Sequence, residues 1–244
     1  MKVIVIIPAA GLGTRMSPMP GAKSKTKRPV ISKQFTELGG TPILIHTLRK
    51  FASHSSVSEI FVALRKDEIP GFRERLEMEG KDILQKKVEL VEGGEHRQHS
   101  VANALAAISA GPEDVILVHD AVRPLVTAEI IDGVVEGAKK HGAAIAGMPA
   151  VDTVKQVDRT ADGALITSTI PRERVVMAQT PQGFRYQILK KAFDEADADG
   201  FVGTDEASLV ERAGGSVAVV MGSPRNLKIT TPADMELAEF YLRH

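Results

Sequence analysis

Val3 to Arg15 reads VIVIIPAAGLGTR. The five apolar residues Val3–Ile7 suit a strand buried on both faces, as strands of parallel sheets are. Pro8 ends the run. Gly11 and Gly13 then allow a turn tight enough for backbone amides to approach a phosphate. A buried strand running into a glycine-rich turn raises two questions: which phosphate compound is held, and what is done to it.

Outward from this stretch, strand and helix patterns alternate. Strands are predicted at Glu59–Leu64, Val88–Val91, Val115–Val118, Ala143–Met148 and Ser216–Val220, with a shorter one at Leu227–Ile229. Helices are predicted at Pro42–Phe51, Lys66–Glu79, from GGEHRQHS to about Ile108, Ala128–Lys140, Arg185–Ala196, Asp205–Ala213 and Pro232–Tyr241. Thr41 and Pro42 read as N-cap and first helical residue, and Thr231, Pro232 and Asp234 as a second helix start. Such alternation predicts an α/β, Rossmann-like fold, a mostly parallel sheet flanked by helices. Ligands on such sheets sit beyond the carboxyl ends of the strands. That singles out the loops PAAGLGTR, EGGEHRQHS and HDAVRP, after Ile7, Val91 and Val118.

Val151–Val176 breaks the rhythm. VDTVKQVD and ALITSTI alternate on either side of an ADG turn, the pattern of a β-hairpin arm. A lone hairpin is marginal in water, so the arm is predicted to pack against a second copy in a homodimer. Folding back onto its own core is the alternative. The expected organisation is one domain over residues 1–244, with 151–176 as an inserted β-arm subdomain.

At 244 residues the chain can bury a substantial core. It has 31 Lys plus Arg and 31 Asp plus Glu, a zero balance that argues against a protein that coats nucleic acid. It has no cysteine, which removes disulfides, thiolate metal sites and cysteine nucleophiles. The apolar run before Pro8 is too short for a signal core and no later run reaches a membrane span, so a cytoplasmic location is expected. One local imbalance stands out: Lys2, Arg15, Lys23, Lys25, Lys27, Arg28 and Lys33 all precede the first acid, Glu37. Positive charge gathered beside a glycine turn suits a concentrated anion. A solvated basic loop, mobile over Lys23–Lys33, is the blander reading. A nucleic-acid-binding arm is a third, although only Phe35 lies nearby to stack on a base.

Three phosphate-loop patterns compete. The dinucleotide pattern GxGxxG begins at Gly11 and Gly13, but position 16 is Met, and no acid follows until Glu37. The P-loop pattern GxxxxGK[ST] is absent. The third is a nucleotidyltransferase loop, AAGxGTRM followed by a lysine, in which Arg15 and that lysine neutralise phosphate charge.

Here the chain resembles the 2-C-methyl-D-erythritol 4-phosphate cytidylyltransferase family of the non-mevalonate isoprenoid pathway. The motifs run in order nearly end to end: PAAGLGTRM, EGGEHRQHSV, VHDAVRP, VDTVK, AQTPQGF, GTDEASLVE and NLKITTPAD. The resemblance implies transfer of CMP from CTP to methylerythritol phosphate, with pyrophosphate released and a divalent cation, Mg²⁺, on the phosphates. It implies catalytic roles for Arg15, Lys33 and Lys228. It also implies nucleotide contacts from Pro8, Ala9, Ala10, Gly11, Gly13, Thr14, Gly94, Glu95, Ser100 and Asp120. Asp120 is further the candidate for the metal region. Asp152, Thr153, Arg172 and Thr180 match the second-substrate site, with Arg172 supplied by the neighbouring subunit's arm. One departure concerns the segment between Arg15 and Lys33, which is longer than the family's and has Ser32 rather than proline before the lysine. Lys25 and Lys27 are therefore alternatives to Lys33. A cytidylyltransferase for ribitol or ribulose 5-phosphate is the nearest rival, since it shares the loop and the QTPQ and KITTP segments.

Other polar residues carry quieter readings. His96 and His99 lack a third metal ligand, and His119 is expected to pack and hydrogen-bond rather than act as a base. Asp205 and Glu206 read as helix-start residues after Thr204. Arg97 and Arg123 are open between direct ligand contact and internal salt bridges.

Overall fold

The structure, a computed structural model, describes residues 1–11, 32–161 and 163–244. Arg15, Gly13, Thr14, Lys25, Lys27 and most of the basic segment fall outside these residues. The chain runs β1 (Val3–Pro8), β2 (Glu37–Leu38), β3 (Thr41–Pro42), α1 (Ile43–Ala52), β4 (Val57–Leu64), α2 (Ile69–Glu79), β5 (Lys87–Glu92), α3 (Arg97–Ala107) and β6 (Val115–Val118). It continues through α4 (Ala128–His141), β7 (Ala143–Pro149), β8 (Val154–Thr160), β9 (Gly163–Ile170), β10 (Val176–Arg185), α5 (Tyr186–Ala198), α6 (Glu206–Arg212), β11 (Ala218–Met221) and α7 (Pro232–Arg243).

The VIVII run lies near the middle of a seven-stranded sheet ordered β11-β7-β10-β6-β1-β4-β5. β1 pairs in parallel with β4 and β6. Because strand side chains alternate, β1 feeds two cores. Val3, Val5 and Ile7 join Leu44, Leu48 and Phe51 of α1, Phe72 of α2 and Val134 of α4. Ile4 and Ile6 join Val101 and Leu105 of α3, Leu189 of α5 and Leu209 of α6. Each such side chain contributes about 1.5–3 kcal/mol on burial. A third, smaller cluster sets Leu38, Ile43 and Ile229 against Ala238 of α7.

The mostly parallel sheet was legible, but three local expectations need correction. Thr41–Pro42 does not start α1. It pairs with Glu37–Leu38 across Gly39 and Gly40, whose φ of 59° and 81° suit a two-residue hairpin turn, and the helix begins at Ile43. Leu227–Ile229 is not a strand; Ile229 N–H donates to the Val122 carbonyl at 2.9 Å, and the segment crosses the sheet's end as a loop. β10 was not predicted, and it is antiparallel to both its neighbours, β6 and β7.

The predicted arm is a hairpin. Among the described residues β8 and β9 pair only with each other, as a separate two-stranded sheet, and expose Val157, Leu165 and Ile166. Among the described residues no helix is long and apolar enough to cross a membrane.

Candidate active site

The three loops chosen from the sequence meet in one cleft. Pro8–Gly11 follow β1, Gly94–Arg97 and Ser100 lie at the end of β5 and start of α3, and Asp120–Val122 follow β6. Lys33, Gln34 and Lys228–Thr230 complete the lining.

The spacing of the two backbone walls is set by contact. A Cβ on Gly93 would lie 2.5 Å from the Ala10 Cβ, and one on Gly94 would lie 2.3 Å from the His99 Cβ. No larger residue fits either place without moving backbone. Gly94 N–H donates to Ser100 Oγ at 3.1 Å, so Ser100 shapes the wall rather than standing free in it. On the opposite side Ala9 N–H donates to the Ala63 carbonyl at 2.7 Å. Gln34 Nε2 donates to the Ala9 carbonyl at 2.6 Å. Sequence reasoning passed over Gln34, whose only signal was its place beside Lys33.

Charge is organised around Asp120. Its carboxylate lies 3.1 Å from Lys228 Nζ, 3.1 Å from Arg123 Nε and 3.5 Å from Arg97 Nε. Burial alone would raise its pKa; the positive charges of Lys228, Arg97 and Arg123 overcome that and hold it far below the usual carboxylate range. Arg123 also donates to the Asn226 carbonyl at 2.7 Å. Arg97 Nη1 lies 2.6 and 2.8 Å from the two Glu206 oxygens. Burial pushes the Glu206 carboxyl up, against the pull of Arg97. Both arginines therefore make internal salt bridges, and Arg97 also lines the cleft. Asp205 is itself the N-cap of α6, its side chain accepting from Ser208 N–H. Glu206 lies in the first turn of α6, where a helix-start carboxylate is expected, and is only 1% exposed.

The lysines sit at the rim. Lys33 Nζ donates to the Thr230 carbonyl at 2.9 Å, and Lys228 is two residues away on the same loop. A cation ligand role for Asp120 is a poor fit, because three cationic side chains already face its carboxylate. Among the described residues no group of three or more His, Asp or Glu side chains could hold a metal.

The second-substrate residues are scattered. Asp152, Thr153 and Arg172 are exposed at the foot of the arm, and Arg172 donates to the Val151 carbonyl at 2.7 Å. None of them lines the cleft. Thr180 is buried, its hydroxyl accepting from Asp120 N–H at 3.0 Å and meeting His119 Nδ1 at 3.2 Å. It braces Asp120 from behind.

His119 is fully buried against Phe51, and burial lowers its pKa to about 4. The neutral ring is thus the folded form, and its contribution is complete above the unfolded value near 6.5. It fades as pH falls from there through about 4, at a cost of about 3 kcal/mol. Urea titrations at pH 7 and pH 4.5 should show this loss, and His119→Gln should reduce the difference; an equal difference in the variant would refute the assignment.

A model of the 2-C-methyl-D-erythritol 4-phosphate cytidylyltransferase family matches residues 3–244. The chain belongs to this family. Relatives bearing that name include one from Acidobacterium capsulatum, 58% identical over 243 residues, covering 100% of this chain and 98% of the relative. Another, from Geobacter metallireducens, is 46% identical, with 100% and 98% covered. Among solved structures, 4-diphosphocytidyl-2C-methyl-D-erythritol synthase from Anaerococcus prevotii superposes with a TM-score of 0.80 at 28% identity, covering 100% of this chain and 99% of that one. The cytidylyltransferase from Thermus thermophilus gives 0.77 at 33% identity, covering both chains fully.

Several of the cytidylyltransferase motifs serve as scaffold. Gln182 of AQTPQGF donates to Asp205 at 2.7 Å and accepts from Ala207 N–H at 3.1 Å, fixing the first turn of α6. That turn presents Glu206 to Arg97.

Proposed function

We propose that the cleft binds CTP as its magnesium complex and transfers CMP to the phosphate of 2-C-methyl-D-erythritol 4-phosphate. The observation that carries this reading is the meeting of the glycine-shaped walls with Lys33 and Lys228 at one rim. A substrate phosphate oxygen attacks the α-phosphorus, the new P–O bond forms, and the bond to departing pyrophosphate breaks in line with it. The attacking oxygen is already ionised, so no general base is required. The work of the protein is then positioning and charge stabilisation. Lys33 and Lys228 supply positive charge, joined by Arg15 from the glycine-rich stretch. Backbone groups of Ala9–Gly11 and Gly94–Glu95 read the cytosine edge, with no side-chain bulk at the glycines to hold them off. The divalent cation arrives with the nucleotide as part of the substrate; its chemistry is to draw charge off the phosphates, and no protein ligand in this cleft is needed to place it.

A second copy completes the site. The arm's exposed Leu165 and Ile166 and the marginal stability of a lone hairpin support a dimer. So does the place of Arg172, which the resemblance assigns to substrate binding but which does not line the cleft of its own chain. Pyrophosphate release should be measured with Mg²⁺ and methylerythritol phosphate against CTP, UTP, ATP and GTP. Ribitol and ribulose 5-phosphates run beside it with CTP. Release restricted to CTP with methylerythritol phosphate is expected, and preference for a pentose or pentitol phosphate would overturn the substrate. Sedimentation of the same sample should give a dimer; a fully active monomer would remove the arm from the mechanism.

A further inference from the structure

Ser32 and Glu68 take no part in the roles above, yet they hold the piece of chain that carries two of them. Lys33–Phe35 is a single 3-10 turn without a side-chain cap. Among the described residues its backbone bonds are Phe35 N–H to the Ser32 carbonyl at 2.9 Å and Thr36 N–H to the Lys33 carbonyl at 3.0 Å. So short a helix has little intrinsic stability. From it Lys33 reaches the Thr230 carbonyl and Gln34 reaches the Ala9 carbonyl, so its placement sets both the rim and one wall of the cleft.

The start of this turn is tied down from outside. Ser32 Oγ donates to Glu68 Oε1 at 2.7 Å. Arg65 Nη2 donates to the same oxygen at 2.7 Å and lies 3.3 Å from Ser32 Oγ. Ser32 is 3% exposed, and the Glu68 side chain is 10% exposed. Among the described residues, buried Glu68 Oε2 and Arg65 Nε have no hydrogen-bond partner, and the hydrogen bonds of the cluster converge on Oε1. A hydroxyl bonded to a shielded carboxylate is among the stronger hydrogen bonds a side chain makes.

We propose that Glu68 is a positioning residue that acts through the Ser32 hydroxyl on the turn carrying Lys33 and Gln34. Arg65 holds the carboxylate in place, Ser32 passes the constraint to the chain, and the turn aims Lys33 at the phosphates. This rests on the reading of the cleft as a CTP site. The backbone supplies a discriminating variant. Ser32 has φ −60° and ψ 139°, which proline adopts without strain, and its amide donates no hydrogen bond among the described residues. Proline at 32 should therefore stiffen the approach to the turn without any bond to Glu68.

The test combines steady-state kinetics with hydrogen exchange at the Phe35 and Thr36 amides. Ser32→Ala should lower kcat/KM for CTP by about tenfold or more, the loss of one hydrogen bond to a charged group, and should speed exchange at both amides. Glu68→Gln should do the same to a smaller degree. Ser32→Pro should restore activity and protection, and in that background Glu68→Gln should have no further effect. Ser32→Ala within twofold of wild type, with unchanged exchange, would overturn the proposal. So would a Glu68→Gln loss that persists with proline at 32, since that would place the action of Glu68 elsewhere. A wild-type protein that releases no pyrophosphate from CTP would sink the functional reading, while the exchange measurement would still judge the turn.

Discussion

Replacing Lys228 by methionine is expected to lower kcat for pyrophosphate release by about 10²–10³, the usual cost of one charge-stabilising donor. The fold should lose less stability than activity is lost. The Lys228 side chain is 44% exposed although its partner Asp120 is only 9% exposed, so the pair is half-shielded and its loss costs a modest amount. Asp120 keeps Arg123 and Arg97 when the lysine is gone. KM for CTP should rise less than kcat falls, because the lysine matters most when charge crowds on the α-phosphorus. Single-turnover measurements read the chemical step directly. A kcat within tenfold of wild type would show that the lysine only draws the nucleotide in, and the phosphate chemistry would pass to Lys33 and Arg15.

The second large effect is on stability. Glu206→Ala should destabilise the protein by about 3 kcal/mol, the lower end of the cost of breaking a buried ion pair. The lower end applies because the Arg97 side chain remains 30% exposed and water can reach part of it. Glu206→Gln should cost less, since an amide oxygen can still accept from Nη1. Urea unfolding at pH 7 measures both. A loss below 1 kcal/mol for the alanine variant would mean that the pair Arg97 already makes with Asp120 at 3.5 Å is enough to hold it. CTP affinity should fall with Glu206→Ala as well, because Arg97 lines the cleft and would be free to turn.

The contrast between these residues shows what the sequence could and could not disclose. VIVII and VILV were legible because a strand covered on both faces carries an unbroken apolar run. β10 was not. Its interior includes Gln179, Thr180, Pro181, Gln182 and Gly183, a composition that reads as a loop. Thr180 and Gln182 are polar groups buried with partners on Asp120, Asp205 and Ala207. Local hydrophobicity cannot reveal a strand whose side chains are satisfied by residues far along the chain. The cleft was legible in outline, because turns at the carboxyl ends of strands must face one side of the sheet. Its wiring was not. The Arg97–Glu206 pair spans 109 positions and Arg123–Asn226 spans 103, and spacing says nothing about such partners. The displacement of the α1 start had a nearer cause, a Gly39–Gly40 turn that drew Thr41 and Pro42 into pairing.

The antiparallel course of β10 has a consequence for modularity. β7 and β10 are the two legs of one hairpin, with Val176 opposite Pro149 and Ala150 N–H bonded to the Val175 carbonyl at 3.1 Å. The arm is therefore an elaborated hairpin tip. It leaves and re-enters the sheet at the same rung, so its length can change without shifting any register below it. The catalytic body and the arm are in this sense separable inheritances. Chains of this architecture could exchange, extend or recode their arms while the cleft stays as it is.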